Sequence, residues 1–564
     1  MNLKSRANDY DAIVVGTGMT GGWAMRILTE AGLKTLALDR GRMVEHGADY
    51  VTEHRNAWEM PWRGGRVHSN DLEHYPIQQR TYAFSEYTRH WFVRDTDTPY
   101  GQDLPFDWIQ PDMVGGKSVL WGRQSYRWSA PDFRSNLEDG HGVDWPIRYQ
   151  DLEPWYEHVE RIVGISGSAE ALPELPDSIF QTPMAMNAAE KLAKARIEEQ
   201  HPDRHVIIGR VAVLTEPLEG RAPCHYCGPC ERGCSTRSYY STLNSALPAA
   251  QRTGNLTLLS RRIAHSVMYR DGRATGVCVI NMESGEHEEY TARVVFLCAS
   301  APGTLRVMLN SKSEDFPDGI ANSSGVLGKY FLNHHARVGA SGRMEEVLDR
   351  YYEGNRPNGL FIPRFRNLDA SSRHPDFRRG YCFLGSAGRA GWGRGSSIAG
   401  FGASFKEELR EPGDWWISLQ AFGEVLPYEN NYVYLDDTMT DKWGMPSLRF
   451  HVRRFENELA MRKDMAATAA EMLVAAGAVD VEQYDNEHIA PGNNNHEMGG
   501  ARMGRDPRTS VLNEWNQCHD VPNLFVTDGA CMTSAACQNP SLTYMALTAR
   551  ATFNAVELLE NGAL

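Results

Sequence analysis

The stretch Asp11–Gly21, which reads DAIVVGTGMTG, decides the fold of this 564-residue chain. Its apolar beginning predicts a buried strand, and its glycines follow the spacing G-x-G-x-x-G. In this pattern Gly16 makes the tight turn, Gly18 lets a pyrophosphate approach the backbone, and Gly21 lets the next helix pack on the strand. The free N–H groups at the start of that helix favour phosphate. The sequence therefore predicts a dinucleotide-binding site here.

A second strand strengthens this interpretation. Lys34–Asp39 (KTLALD) predicts a strand that completes a βαβ unit with the first strand and the helix between them. Asp39 ends this strand about 20 residues after the glycines, where an acid binds ribose hydroxyls. FAD and NAD share this fingerprint, so the βαβ unit alone does not distinguish them.

Composition and charge narrow the class of protein. The formal net charge is −14 and 41% of the residues are hydrophobic. The acidic balance argues against a nucleic-acid partner, because phosphate neutralisation requires clustered Lys and Arg. No stretch of about 20 apolar residues is present, so no transmembrane segment is predicted. Met1–Asp11 is polar and has no signal-peptide pattern. We therefore expect a cytoplasmic chain unless another chain carries it out.

Hydrophobic periodicity outlines the rest of the chain. Alternating segments between turns predict strands within Leu256–Cys298, and Trp415–Val452 is interpreted as antiparallel strands that form a wall for a substrate. Glu456–Ala476 predicts an amphipathic helix that ends at Gly477. The other predicted elements are helices over Asp151–Val163, Met184–His201 and Pro540–Glu560, and a strand over Asn523–Asp528.

Four motifs resemble the glucose–methanol–choline (GMC) family of flavoenzymes. They are Gly115–Gly122 (GGKSVLWG), His496–Gly500 (HEMGG), Asn523–Gly529 (NLFVTDG) and Gln538–Thr543 (QNPSLT). They follow the family's order, so the resemblance covers essentially the whole chain. Within the family it is nearest to bacterial sugar dehydrogenases, the large subunits of glucoside 3-dehydrogenase and gluconate 2-dehydrogenase, and more distant from pyranose oxidase. The resemblance implies that the dinucleotide is FAD.

The motifs and the resemblance together predict an α/β fold with two domains. A Rossmann-like FAD-binding domain is expected to be discontinuous, formed by residues 1–150, 235–330 and 480–564. A second, substrate domain is expected to be built on an antiparallel sheet, from residues 151–234 and 331–479. A cysteine-rich loop at 224–234 belongs to this second part.

Carried over residue by residue, the resemblance assigns nine positions to FAD. The residues for the ADP half are Gly16, Gly18, Gly21 and Asp39; those along the pyrophosphate and flavin are Gly115, Gly116 and Ser118; those at the ribityl–pyrophosphate region are Asp528 and Gly529. Some relatives attach FAD covalently through a His just before the Trp of the Gly-Gly segment. Here that position is Leu120. We therefore expect noncovalent FAD.

His496 and Asn539 are the predicted catalytic residues. Oxidation of an alcohol by flavin requires a base for the hydroxyl proton, and imidazole titrates near neutral pH. The resemblance places His496 at the flavin N5 and lets Asn539 hydrogen-bond the same substrate oxygen. Asn539-Pro540 is also interpreted as the N-cap and first position of a helix whose positive end favours reduced flavin. His334 and His335 are interpreted as structural.

The segment Cys224–Cys234 contains four cysteines with the spacing C-x2-C-x2-C-x3-C. Cys224, Cys227, Cys230 and Cys234 could converge on one centre through a wrapped loop. The spacing is that of a bacterial-ferredoxin run, but no Pro follows the last cysteine. An iron–sulfur cluster that relays electrons from the flavin is the favoured interpretation. Structural zinc, disulfides and free thiols remain alternatives.

These features predict an FAD-dependent oxidoreductase that removes hydride from a secondary alcohol of a sugar or glycoside. C3 of a glucoside is the favoured position, and C2 of gluconate or a pyranose is the runner-up. An oxidase that uses O2 and a flavin-containing lyase are further alternatives. The resemblance implies a small companion subunit, a cytochrome-like electron acceptor, and co-export to the periplasm or the periphery of the inner membrane. Without a partner, the chain is expected in the cytoplasm.

Overall fold

A computed structural model describes residues 3–5, 10–61, 69–348 and 356–564. The strands are β1 Leu3–Ser5, β2 Tyr10–Val15, β3 Thr35–Leu38, β4 Gly101–Gln102, β5 Ile165–Ser166, β6 Phe180–Gln181, β7 Ile207–Ile208, β8 Leu256–Leu259, β9 Arg262–Arg270, β10 Arg273–Asn281, β11 His287–Leu297, β12 His335–Arg343, β13 Leu360–Ile362, β14 Tyr381–Arg389, β15 Trp415–Gly423, β16 Tyr432–Thr440, β17 Pro446–His451, β18 Val479–Asp485 and β19 Leu524–Val526. The α-helices are α1 Met19–Glu30, α2 Ser69–Leu72, α3 Ser135–Asp139, α4 Tyr149–Val163, α5 Ala188–Gln200, α6 Ala246–Arg252, α7 Ala301–Asn310, α8 Gly402–Arg410, α9 Glu456–Ala475 and α10 Ser541–Glu560.

An eight-stranded sheet organises the part of the molecule that contains the predicted dinucleotide motif. Its order is β8-β3-β2-β11-β10-β9, and β1 and β19 also pair with β11. Strands β8, β3, β2, β11 and β19 are parallel to one another, whereas β9, β10 and β11 form an antiparallel meander. Helix α1 packs against α6 and α10, and α10 packs on α4. The βαβ unit predicted from Asp11–Asp39 is thereby confirmed.

A six-stranded antiparallel sheet forms the second half. Its order is β18-β12-β15-β14-β13-β7. Helices α9 and α5 cover one face, and Met461, Met465 and Leu473 of α9 are fully buried there with Ile417 and Leu419 of β15. Truncation of one such leucine to alanine costs about 2–5 kcal/mol in proteins of this kind. The α/β class with a Rossmann-like part and an antiparallel second sheet is confirmed.

One predicted wall is divided between two sheets. The segment Trp415–Val452 does contain three strands, but only β15 joins the six-stranded sheet. Strands β16 and β17 form a separate three-stranded sheet with β4, and α7 packs on them. The predicted strands are present and pair in antiparallel fashion. Of these three strands, only β15 lines the cavity through several residues, because pairing with β4 and packing on α7 hold β16 and β17 in a separate sheet.

The helix and strand bounds differ from the predictions by a few residues. The helix predicted over Met184–His201 begins only at Ala188, because Asn187 caps it by accepting a hydrogen bond from Glu190 N at 3.0 Å. Strand β18 pairs with β12, so the antiparallel sheet extends past residue 479. The division into domains stays a prediction. Among the described residues, no helix is both long and apolar enough to cross a bilayer.

Candidate active site

A cavity of about 840 Å³ runs from the glycine-rich turn to the six-stranded sheet. The turn before α1, the loop before α7, strands β14 and β15 and the start of α10 supply its walls. Both predicted catalytic residues, His496 and Asn539, line it. The predicted FAD residues in its lining are Gly16, Gly18, Asp39, Gly116, Ser118, Asp528 and Gly529.

The three glycines of the first turn are each required for a different structural reason. Gly16 has φ +91°, and a Cβ there would lie 2.5 Å from the Cys298 carbonyl oxygen. A Cβ at Gly21 would lie 1.8 Å from the Gly16 carbonyl oxygen, so this position lets α1 pack on β2. A Cβ at Gly18 would meet no atom within 4 Å. Gly18 therefore faces the open cavity, where a phosphate group approaches most closely.

Asp39 ties the turn to the end of β3. Its Oδ2 accepts hydrogen bonds from Thr17 N at 3.0 Å and Thr17 Oγ1 at 2.5 Å, and its Oδ1 accepts from Gly41 N at 2.7 Å. Burial raises the pKa of this carboxyl despite these donors. An ionised carboxylate has about four acceptor sites, so one remains for a ribose hydroxyl.

The segment Gly115–Ser118 is held against the same turn. Gly115 N donates to Thr17 Oγ1 at 2.9 Å, and Gly115 itself has φ +90°. Ser118 Oγ donates to the Gly115 carbonyl at 2.6 Å and accepts from Thr242 N at 3.0 Å. Gly115 and Gly21 are not part of the cavity lining and support the turn from behind. Gly116 and Ser118 are exposed to the cavity.

Asp528 joins the C-terminal motifs to α7. Its carboxylate accepts from Thr304 Oγ1 at 2.5 Å and Ala530 N at 2.9 Å, and burial raises its pKa to about 6. A Cβ at Gly529 would lie 2.2 Å from the Glu497 carbonyl oxygen. This close approach places the segment after β19 directly beside the segment that carries His496.

His496 lies between two polar side chains. Its Nδ1 is 2.9 Å from Nδ1 of His334, and its Nε2 is 3.4 Å from Nδ2 of Asn539. Because the amide nitrogen only donates, Nε2 of His496 is the acceptor there, and the single proton of a neutral ring is on Nδ1. His334 Nδ1 then accepts that proton's hydrogen bond. The arrangement presents an unprotonated Nε2 to the cavity.

Asn539 does not cap α10. The helix begins at Ser541 and Pro540 occupies the N-cap position, so the predicted N-cap at Asn539 and first helical position at Pro540 are wrong. The side chain of Asn539 instead contacts His496. Ser541 and Tyr544 of the first turn of α10 line the cavity, so the start of this helix faces it.

The surroundings keep His496 neutral. Burial lowers its pKa well below the ordinary value, and the charge of Lys117, or a proton on His334, acts in the same direction. Burial also lowers the pKa of His334 to about 4. Lys117 Nζ is paired with the buried Glu497 at 2.6 and 2.7 Å. At neutral pH both imidazoles are therefore uncharged, and His496 can accept a proton.

Comparison with known proteins identifies the family. Residues 10–336 match the N-terminal GMC oxidoreductase family profile, and residues 427–548 match the C-terminal one. The chain belongs to the GMC oxidoreductase family. It is therefore a flavoenzyme of the sugar and alcohol oxidoreductase type, and GMC oxidoreductases bind FAD.

Curated GMC relatives act on alcohols of several sizes. The chain is 30% identical to 2-methyl-1,2-propanediol dehydrogenase of Mycolicibacterium austroafricanum, over 97% of this chain and 95% of that protein. It is 25% identical to the fructose dehydrogenase large subunit of Gluconobacter japonicus, over 96% of each. A C-glycoside 3-oxidase of Arthrobacter globiformis is 31% identical over 54% of each chain. A particular closeness to glucoside 3-dehydrogenases is not confirmed.

A solved structure shares the GMC fold. Pyridoxine 4-oxidase from Mesorbium loti superposes with a TM-score of 0.57 and 14% identity, covering 96% of this chain and 98% of that one. At this identity the similarity concerns the fold alone.

The cavity fits the FAD of the GMC family. Its nucleotide end has the open Gly18 face, the start of α1, and Arg40, whose buried Nε has no hydrogen-bond partner among the described residues. An unpaired buried guanidinium nitrogen is costly, so a ligand oxygen at this position satisfies it. These are the donors that a pyrophosphate and a ribose require.

Polar side chains from the six-stranded sheet line the other end of the cavity, and no sequence motif predicted them. Gln420 and Ser418 of β15 and Ser386 of β14 line it beside Asn539. These residues were missed because they belong to no motif. Only the alternation of side chains along β14 and β15 could have indicated which residues of these strands face inward. His334 was missed because its role depends on contact with His496, which lies 162 positions further on in the chain.

The cysteine loop forms part of the same cavity wall. Gly228, Cys230 and Glu231 line the cavity, and none of the ten cysteines forms a disulfide. Tetrahedral zinc holds its thiolates less than about 4 Å apart, given Zn–S bonds of about 2.3 Å. Among the described residues, no three of these four cysteines have sulfur atoms that all lie within 4.8 Å of one another. No disulfide joins the four cysteines in this structure. The metal-binding interpretations of the loop stay predictions.

Proposed function

We propose that this GMC oxidoreductase dehydrogenates a secondary alcohol of a sugar or glycoside, with C3 of a glucoside as the favoured position. The observation that carries the proposal is the set of unpaired polar atoms in the cavity walls. Arg123 Nε, Asn358 Oδ1 and Asn495 Oδ1 are buried and have no hydrogen-bond partner among the described residues. A polyol has both donors and acceptors, which is the chemistry that these polar side chains would bind. C2 of gluconate or a pyranose is the runner-up.

His496 acts as the base in this proposal. Its Nε2 accepts the substrate hydroxyl proton, while Asn539 Nδ2 donates to the same oxygen and orients it. When bound, FAD supplies the acceptor for the hydride from the carbinol carbon. His334 holds the Nδ1 proton of His496 and so keeps Nε2 free. The start of α10 adds partial positive charge beside the site.

The acceptor of the electrons is part of the proposal. We assign to the loop of Cys224, Cys227, Cys230 and Cys234 an iron–sulfur cluster that would pass electrons singly, because Cys230 lines the cavity that fits FAD. A small companion subunit, a cytochrome-like acceptor and co-export to the periplasm complete the proposal. The relative named as a large subunit supports the companion.

A small vicinal diol is a second candidate substrate. The diol dehydrogenase of Mycolicibacterium austroafricanum is similar over nearly the whole of both chains. A substrate of that size would leave the atoms of Arg123, Asn358 and Asn495 without partners. The two candidates therefore differ in whether these side chains contribute to binding.

Anaerobic titration of the purified yellow protein tests the proposal. Glucosides, gluconate, free pyranoses and 2-methyl-1,2-propanediol are added in turn, and the flavin absorbance is followed. Bleaching by a glycoside, with a 3-keto product identified by NMR, supports C3 oxidation, whereas bleaching by the diol alone overturns the sugar proposal. Reoxidation by air identifies an oxidase. No bleaching by any alcohol, with FAD retained, favours the lyase alternative.

A further inference from the structure

A cluster of two histidines and one cysteine lies on the antiparallel meander of the eight-stranded sheet. His265 is on β9, Cys278 on β10 and His287 on β11. One potential ligand atom from each residue lies within 4.8 Å of the other two. None of the three lines the active-site cavity, although the preceding residues 262–264 do. The function proposed above does not use this cluster.

Strand register brings the three side chains to one face. Cys278 pairs with Glu289 and Ile280 pairs with His287, so Cys278 and His287 are diagonal neighbours on the same side of β10 and β11. On β9 the register shifts opposite Cys278 and Val279, and His265 is the extra residue at this irregularity. A bulge of this kind re-aims a side chain. Without the extra residue, His265 would not be directed toward Cys278.

The distance between the cysteine sulfur and one imidazole nitrogen matches that around a tetrahedral ion. Cys278 Sγ is 3.6 Å from His287 Nδ1. A Zn–S bond of about 2.3 Å and a Zn–N bond of about 2.0–2.1 Å at the tetrahedral angle separate sulfur and nitrogen by roughly 3.6 Å. The ring centroids of His265 and His287 are 5.2 Å apart, and the ring planes meet at 72°.

Neighbouring polar groups orient the ligands. His265 Nδ1 is 3.1 Å from Ser266 Oγ, and its Nε2 is 3.3 Å from Asn310 Nδ2. A metal at Nε2 would replace the contact with Asn310, whose Nδ2 keeps its 3.0 Å hydrogen bond to the His265 carbonyl. The Nδ1–H would then donate to Ser266 Oγ, a contact of the type that fixes the orientation of metal-binding histidines. Glu289, the cross-strand partner of Cys278, adds a carboxylate on the same face. Two imidazoles and one thiolate suit zinc, whereas calcium and magnesium require oxygen ligands.

We propose that His265, Cys278 and His287 bind one zinc ion, which links the three strands of the meander. The fourth position is open to water. The ion would connect β9, β10 and β11 beside the part of β9 that lines the cofactor cavity. Binding to the folded state alone raises the unfolding temperature.

The cysteine loop is the main competitor for added metal, so the test removes it first. The holoenzyme with Cys227→Ser and Cys230→Ser is stripped with a chelator and titrated with Co²⁺ and then with Zn²⁺. We expect one equivalent of Co²⁺, a thiolate-to-cobalt charge-transfer band, displacement by Zn²⁺, and a Tm at least about 2 °C higher with Zn²⁺.

Adding Cys278→Ser should abolish the band, and adding His287→Gln should weaken metal binding at least tenfold. The visible spectrum of bound FAD verifies that each variant is folded. Cys518→Ser, which removes a buried thiol elsewhere, is the matched control and should keep the band. Absence of the band in the loop variant, or its survival in Cys278→Ser, would overturn the proposal. Both results are independent of which alcohol the enzyme oxidises.

Discussion

Replacing His334 by leucine tests whether this residue holds His496 in the form that accepts a proton. The 2.9 Å contact between the two Nδ1 atoms disappears, and the Nδ1–H of His496 is left buried without an acceptor. An unsatisfied buried donor costs about 1–3 kcal/mol. The ring relieves this cost by moving its proton to Nε2 or by turning, and both changes remove the base from the substrate. With about 1.4 kcal/mol for each factor of ten, we expect flavin reduction to slow roughly 5- to 150-fold.

Stopped-flow measurement of flavin bleaching under anaerobic conditions is the appropriate assay. The limiting reduction rate is expected to fall while the substrate dissociation constant changes little, because His334 is one layer behind the cavity. His334→Gln should recover part of the rate, since its amide oxygen can accept from His496 Nδ1–H. His335→Leu is the matched control: His335 is equally buried and adjacent, whereas the hydrogen bond and the ring contact to His496 come from His334.

The FAD content and Tm of each variant separate catalysis from folding. If His334→Leu retains FAD and reduces it at the wild-type rate, His334 does not determine the tautomer. If His334→Leu and His335→Leu lose rate equally, packing of the buried pair explains the effect and the reasoning is also refuted.

Three further predictions concern the same region. His496→Ala should keep FAD and lose at least about 100-fold in flavin reduction, with a smaller loss for Asn539→Ala, as stopped-flow traces will show; near-normal reduction in His496→Ala would exclude it as the base. Acid precipitation should release all the flavin into the supernatant, because Leu120 occupies the position of the attaching His; yellow pellets would contradict this. The free energy of unfolding should fall at acidic pH. Buried His334 has a pKa of about 4 in the folded protein and about 6.5 in the unfolded chain, so the unfolded chain binds its proton more strongly. Between pH 6.5 and 4, protonation of His334 alone lowers the free energy of unfolding by about 3 kcal/mol. Urea titrations of His334→Leu should therefore show a smaller pH dependence than those of the wild type. An equal pH dependence would assign the effect to other groups.

Local sequence signals predicted the nucleotide half well. The βαβ unit depends on residues close together in the chain, and steric arguments for Gly16 and Gly21 apply whatever surrounds them. His496 and Asn539 were found through motifs, and the structure brings them within 3.4 Å of each other. Their catalytic roles stay predictions.

Long-range register explains what the sequence did not reveal. The contact of His334 with His496 depends on how β12 and the C-terminal segment pass each other. The separation of β15 from β16 and β17 depends on the partner strand β4, which is more than 300 positions earlier. The bulge at His265 is visible only in the pairing of β9 with β10. Periodicity predicts an element but not its partner.

The position of β19 in the eight-stranded sheet has a consequence for biosynthesis. The C-terminal half of β11 has β2 on one side and β19 on the other, and Asn523, just before β19, hydrogen-bonds Arg293 across 230 positions. At about 5–20 residues per second, a ribosome needs roughly ten to fifty seconds to make the intervening chain. During that time one edge of β11 has no partner, and unpaired apolar edges promote aggregation. The nascent enzyme is thus vulnerable until its last fifty residues emerge, and chaperones that protect strand edges should increase its soluble yield.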